Sequence, residues 1–148
     1  MVSEIDTERG VARVTVALDA KGKPGPATVR GGRFVLTQGK GSKPISQLAL
    51  SRKLSCATTK RKARRGVASI AAKRRKSRRL WVNTRAKRYR TKGRYATGTV
   101  RGTRWLTTDG CRSTRIAVTR GVVTVRDLVR KRNRAIKRGR SYTARPRR

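Results

Sequence analysis

The chain has 148 residues, with 43 Lys and Arg against 6 Asp and Glu, a formal net charge of +37, and no His. That length suits one domain, and two Cys without His exclude a zinc site, which takes about four N or S ligands when structural and about three when catalytic. The scattered carboxylates offer no pair for general acid–base work, and the nearest glycine-rich stretch, 39–44, reads as a turn rather than a phosphate loop; the chain is expected not to be an enzyme and to use no cofactor and no metal.

The first nineteen residues hold four of the six acids, Glu4, Asp6, Glu8 and Asp19, and no acid follows until Asp109. Met1 to Asp6 has neither the basic start nor the apolar run of a secretory signal. No apolar stretch approaches the roughly 20 residues that span a bilayer. The chain therefore reads either as cytoplasmic or as a fragment that begins inside a longer parent. Over 11–18, Val14, Val16 and Leu18 recur at period two, which predicts a strand with its apolar side inward. The Gly- and Pro-dense stretch 19–26 predicts a hairpin loop. Short strands follow at 27–30 and 33–37, the second with Phe34 and Leu36 inward. Ile45, Leu48, Leu50 and Leu54 then supply apolar residues of mixed period up to Cys56.

Between Lys60 and Arg79 the character changes. Eleven bases, Lys60, Arg61, Lys62, Arg64, Arg65, Lys73, Arg74, Arg75, Lys76, Arg78 and Arg79, surround one small apolar patch at 67–72. With so little to bury, this stretch predicts a basic, largely disordered insert over 58–79. It separates an N-terminal β part, 1–57, from a C-terminal β part, 80–148. The same eleven residues are the first candidates for contact with a polyanion, because no acids are interspersed to neutralise them. Arg130 to Arg138 and the tail from Arg145 to Arg148 rank behind them.

Strand signals then return at 80–82, 94–100, 103–107, 115–119, 122–125, 134–137 and 141–144, punctuated by glycines. A helix over 125–138 is the weaker alternative. Short, evenly spaced strands predict an all-β fold, a β-roll, β-solenoid or sandwich. The core is thin, with six aromatics in the chain, and Trp81 and Trp105 are assigned to it. The alternative has them stack on bases or sugars beside Arg79 or Arg104. Gly102 reads as a bulge or tight corner. Self-repulsion at this charge opposes compaction, so an anionic partner favours the folded state. Nucleic acid, an anionic lipid surface and an acidic wall polymer are the candidates.

Three segments carry a resemblance to a known family. Tyr95 to Trp105, Thr114 to Val125 and Gly139 to Tyr142 resemble the FecR domain: a strand ending in Val100, Arg101, Gly102 and Thr103 with an aromatic, Trp105, close behind, then a strand–turn–strand with Gly121 before a Val-x-Val, then a glycine-containing close. Upstream, Gly31-Gly32-Arg33-Phe34, Leu54-Ser55-Cys56, the basic insert and Leu80-Trp81 are similar, in that order, to secreted actinobacterial proteins that carry this domain. This chain would be an N-terminally truncated member of that group.

The resemblance implies a non-enzymatic FecR-type β module in an extracytoplasmic or cell-surface location, with structural roles for Val100, Arg101, Gly102, Thr103, Trp105 and Gly121. In the oxidising compartment it implies, Cys56 and Cys111 form a disulfide; otherwise they are two inert buried thiols. The family's membrane helix and cytoplasmic anti-sigma segment do not appear in this sequence. The function expected is therefore to bind or organise anionic surface material, wall polymer or anionic lipid, rather than to relay a signal. The alternative is a cytoplasmic nucleic-acid-binding protein of little sequence specificity, led by phosphate contacts. Neither an RNP-type aromatic motif nor a zinc finger or recognition helix supports sequence readout.

Overall fold

The computed structural model describes residues 3–56 and 77–147. The candidates Lys60, Arg61, Lys62, Arg64, Arg65, Lys73, Arg74, Arg75 and Lys76, and the disorder expected around them, lie outside the described residues. The described residues form eleven strands and no helix: β1 (Ser3–Asp6), β2 (Val11–Ala17), β3 (Pro24–Arg30), β4 (Arg33–Gln38), β5 (Ser46–Leu50), β6 (Ser77–Thr84), β7 (Lys87–Lys92), β8 (Ala96–Gly110), β9 (Thr114–Asp127), β10 (Arg132–Lys137) and β11 (Ser141–Ala144). The chain is all-β, and the stretch 125–138 is the end of β9, a turn and β10 rather than a helix.

All eleven strands belong to one open, curled sheet. Its spine is the antiparallel pair β8–β9, which extends from Ala96 opposite Asp127 to Asp109 opposite Thr114. The other edge of β8 is shared. β7 covers its first half and β6 its second. Beyond β7 the sheet continues through β5, β4 and β1, and beyond β6 through β3 and β2. β10 and β11 pair successive parts of β9.

The two arms diverge where β8 slips register between Arg101 and Arg104. Gly102 there has φ 57°, and Gly121 on β9 has φ 79°. A bulge bends its strand and raises the local twist, which lets one strand serve two layers. A Cβ on Gly121 would lie 2.4 Å from the Thr103 Cγ2 and 2.8 Å from the Gly102 carbonyl oxygen, so the crossing leaves no room for a side chain. This explains a difference from the sequence reading. The separate strands expected at 94–100 and 103–107, and at 115–119 and 122–125, are two long ones, because a bulge, unlike a turn, keeps the chain extended.

The inner face follows the alternation of the strands. Val29, Phe34, Leu48, Leu80, Val82, Tyr89, Trp105, Ile116 and Val123 are fully buried. Aliphatic side chains run short, and threonine fills much of the rest: Thr84, Thr91, Thr97, Thr103, Thr107 and Thr114 are buried too. Buried hydroxyls are nearly always hydrogen-bonded, and the Thr103 Oγ1 is an exception, buried with no hydrogen-bond partner. The Trp105 Nε1 donates to the Thr91 Oγ1 at 3.0 Å, and the Thr91 and Thr107 hydroxyls are 2.8 Å apart. The Tyr89 hydroxyl crosses between the arms and donates to the Gly25 carbonyl at 2.5 Å, with the Val14 carbonyl at 3.3 Å.

Two further boundaries differ from expectation. β3 begins at Pro24, inside the expected loop; Pro24 to Pro26 pair with β2 but lie beyond the stretch that pairs with β6, so a missing N–H disturbs only one side. β6 begins at Ser77, so Ser77, Arg78 and Arg79 belong to the sheet rather than to an insert. The parts 1–57 and 80–148 are interleaved, β5 lying parallel to β7 and β3 pairing with β6. Finally, Cys56 is joined to Cys111 by a disulfide, with their Cα atoms 5.5 Å apart, which ties the chain beyond β5 to the β8–β9 turn.

Candidate anion-binding face

The carboxylates are consumed inside the fold, and this decides where positive charge stands unopposed. Arg33 meets Asp6 at 2.9 Å, Glu8 at 3.4 Å and Glu4 at 3.6 Å, and Arg52 meets Glu8 at 3.4 Å. The Glu8 backbone N–H and the Arg33 guanidinium hold the Asp6 carboxyl below its ordinary range. Arg78 donates from Nε to Asp109 at 2.9 Å, with its Nη2 2.7 Å from the same carboxylate, and from Nη1 to the Arg52 carbonyl at 2.9 Å. Asp127 takes Arg130 at 3.6 Å and the Tyr142 hydroxyl at 2.6 Å. Asp19 accepts from the Lys21 and Lys23 backbone N–H groups within its own turn. Among the described residues, these ion pairs occupy four arginines, Arg33, Arg52, Arg78 and Arg130.

Six of the remaining arginines are brought together by strand pairing. On the outward side of the β2–β3–β6–β8–β9 arm, Val11, Arg30, Trp81, Leu106 and Ala117 stand side by side in one cross-strand row. The row on one side runs Arg13, Thr28, Asn83, Arg104 and Arg120; the row on the other runs Arg79, Thr108 and Arg115. Neighbouring strands lie about 4.8 Å apart and alternate residues about 6.7 Å apart, so these cations sit within one short-range field. All six arginines are exposed, and no carboxylate occupies an outward position in the three rows.

Trp81 is the centre of the face. The sequence reading placed it in the core, but its inward neighbours Leu80 and Val82 fill that space, and the half-buried indole lies outside. The Arg30 guanidinium carbon is 5.2 Å from the ring centroid and that of Arg104 is 5.4 Å away, reaching it from strands on opposite sides of β6. Arg120 donates to the Asn83 side-chain oxygen. Guanidiniums aligned in this way keep N–H donors turned to solvent, in the fork geometry that suits phosphate and sulfate.

No model of a known protein family matches the chain, and no curated protein is significantly similar to it.

The sequence-predicted residues separate clearly. Arg79 is exposed on the face, whereas Arg78 is taken up by Asp109 on the inner side. Val100, Thr103 and Trp105 are buried, Arg101 is the residue at which the β8 register slips, and Gly102 and Gly121 flank the bend. Arg13, Arg30, Arg115 and Arg120 were not singled out, because they are dispersed along the sequence, and Arg104 was named only beside a tryptophan in the stacking alternative. Their signal is alternation: Arg13, Arg30, Arg79, Arg104 and Arg115 are each chain neighbours of a buried core residue, Val14, Val29, Leu80, Trp105 and Ile116. A strand that buries one residue turns the next outward.

Two recesses stand out among the described residues. One, of about 270 Å³, lies between the Gly31–Gly32 turn and β8. A larger one, of about 620 Å³, is lined by Glu4, Arg33 and residues 51–55 and shares no residue with the face; the smaller shares Arg79, Leu106 and Thr108 with it. Among the described residues no three side chains of metal-ligating type come together.

Proposed function

We propose that this protein is a non-enzymatic, extracytoplasmic module of FecR-like type that binds an extended anionic surface polymer across the face centred on Trp81. The single observation that carries the reading is the placing of Arg30 and Arg104 over one outward-facing indole, in a face of arginines without carboxylates. Net charge alone would scatter cations evenly. Here the acids are paired elsewhere, and six arginines share one arm of the sheet.

The mechanism is charge neutralisation with fixed geometry. A polyanion crossing the strands meets a guanidinium at nearly every step and releases its counter-ions, so affinity falls steeply as salt rises. The cation–π contacts hold Arg30 and Arg104 in place beforehand, which lowers the entropy lost on binding. They also engage the ring, which favours recognition through arginine over stacking of bases on the indole. The disulfide supports an oxidising compartment.

Acrylamide quenching tests this without any substitution, because Trp105 is fully buried and Trp81 is not. Saturation with dextran sulfate is expected to protect the quenchable indole. Tight binding that leaves Trp81 as accessible as before would place the polymer elsewhere and reject the reading. Equal protection by a nucleic acid of random sequence, at matched charge and equal affinity, would favour the cytoplasmic alternative.

A further inference from the structure

The recess beside Trp81 has a lining unlike that of the arginine face around it. Gly32 is packed on the β6 backbone so closely that a Cβ would fall 1.8 Å from the Arg79 carbonyl oxygen, and Gly31, at φ 83°, would bring one to 3.5 Å from the Trp81 Cδ1. Two glycines therefore leave a floor without side chains. Leu106 makes an apolar wall, Thr108 supplies a hydroxyl and Arg79 an exposed cation, while Arg52 meets Glu8 at 3.4 Å and Arg78 meets Asp109 at 2.7 Å within the same lining.

We propose that this recess holds one sugar unit of the polymer, so that the ligand is a glycan bearing phosphate or sulfate rather than a bare chain of oxyanions. The proposal rests on the anion-binding reading of the face. A bare polyphosphate has no use for Leu106 or the glycine floor, and two of the three arginines that line the recess, Arg52 and Arg78, already meet the carboxylates of Glu8 and Asp109. A sugar ring matches each wall. Its C–H surface covers Leu106, its hydroxyls exchange hydrogen bonds with Thr108, and its charged substituent reaches Arg79. The volume of about 270 Å³ lies just below the roughly 300–1,000 Å³ of pockets for drug-sized ligands, which suits a single ring.

Binding of dextran sulfate, phosphorylated dextran and linear polyphosphate, at matched charge per chain, tests the proposal on the intact protein. The unmodified protein is expected to prefer at least one dextran over polyphosphate by about tenfold, the scale of one well-filled pocket contact. Which dextran it prefers identifies the oxyanion. Thr108→Trp fills the recess from an outward strand position and is expected to abolish that preference, weakening the dextrans more than polyphosphate. Leu106→Trp fills it from the adjacent row and is expected to do the same, so one misfolded variant does not decide the matter. No preference in the unmodified protein, or equal losses for all three polymers in both variants, overturns the proposal. The pair Arg30→Gln and Arg104→Gln separates this from the underlying reading: it is expected to weaken all three polymers, and its failure to do so counts against the face rather than the recess.

Discussion

Arg30 and Trp81 stand directly opposite each other on β3 and β6, with the guanidinium carbon 5.2 Å from the centre of the indole. Arg104 approaches the same ring at 5.4 Å from β8. An exposed cation–π contact is worth about 0.5–1 kcal/mol, too little to fold a sheet but enough to hold two arginines ready for a ligand. Trp81→Leu is therefore expected to weaken polyanion binding about fivefold while barely moving the urea midpoint. Binding isotherms and urea melts on the same preparation check this. A large loss of stability with unchanged affinity would mean that the ring supports folding instead.

Tyr89 ties the two arms together. Its hydroxyl donates to the Gly25 carbonyl, and burial pushes the phenol up to about 12 from its ordinary 10.0. The folded state thus disfavours the phenolate. This contribution is complete below pH 10 and is lost as pH rises from there through about 12. Tyr89→Phe is expected to cost about 1–2 kcal/mol at neutral pH and to flatten stability across that alkaline window. Urea melts on either side of it measure both effects.

Asp127 works in the opposite direction. Burial pushes its carboxyl up, but the Tyr142 hydroxyl, the Arg130 and Val129 backbone N–H groups and the Arg130 charge outweigh burial and bring it below the usual 3.8. The folded state therefore prefers the ionised form, and this stabilisation holds above the ordinary value and fades as pH falls below it. Asp127→Asn is expected to lose about 1–3 kcal/mol near neutrality and to show a shallower acid transition than the unmodified protein. Denaturant melts at a series of acidic pH values measure the slope.

The Cys56–Cys111 bond spans 55 residues of sequence. Closing a loop of that length stabilises the fold by about 4 kcal/mol in the chain-entropy account. Cys56→Ser with Cys111→Ser is expected to lower the urea midpoint accordingly while leaving the arginine face able to bind. Thiol titration of the native protein should find no free thiol; two titratable thiols would contradict the bond.

Much of the sheet was legible because strands with an aliphatic inner side announce themselves. Val14 and Val16 marked β2, Phe34 marked β4, and Ile116 with Val118 marked the first half of β9. β7 was missed because its inward residues are Tyr89 and Thr91 among Lys and Arg, and threonine alternation does not stand out from a loop. β1 was missed for a similar reason, since four residues with a single aliphatic, Ile5, set no period. The candidate face was less legible still. Charge runs are visible in sequence, but Arg13, Arg30, Arg79, Arg104 and Arg115 come together only through pairing between strands far apart in the chain. Trp81 misled for the same reason: Leu80-Trp81-Val82 is apolar throughout, and only the register decides which of the three turns outward.

The central claim is that position, not total charge, makes the binding surface. Two variants of equal charge test it: Arg30, Arg79, Arg104 and Arg115 replaced by Gln, and Arg134, Lys137, Arg138 and Arg140 replaced by Gln. Affinity for dextran sulfate across a salt series is the measurement. The face variant is expected to lose affinity by at least about thirtyfold and to show a salt slope shallower by about three to four charges, with the control variant within about threefold of the unmodified protein. Equal losses in the two variants would show that net charge alone attracts the polymer and would contradict the account.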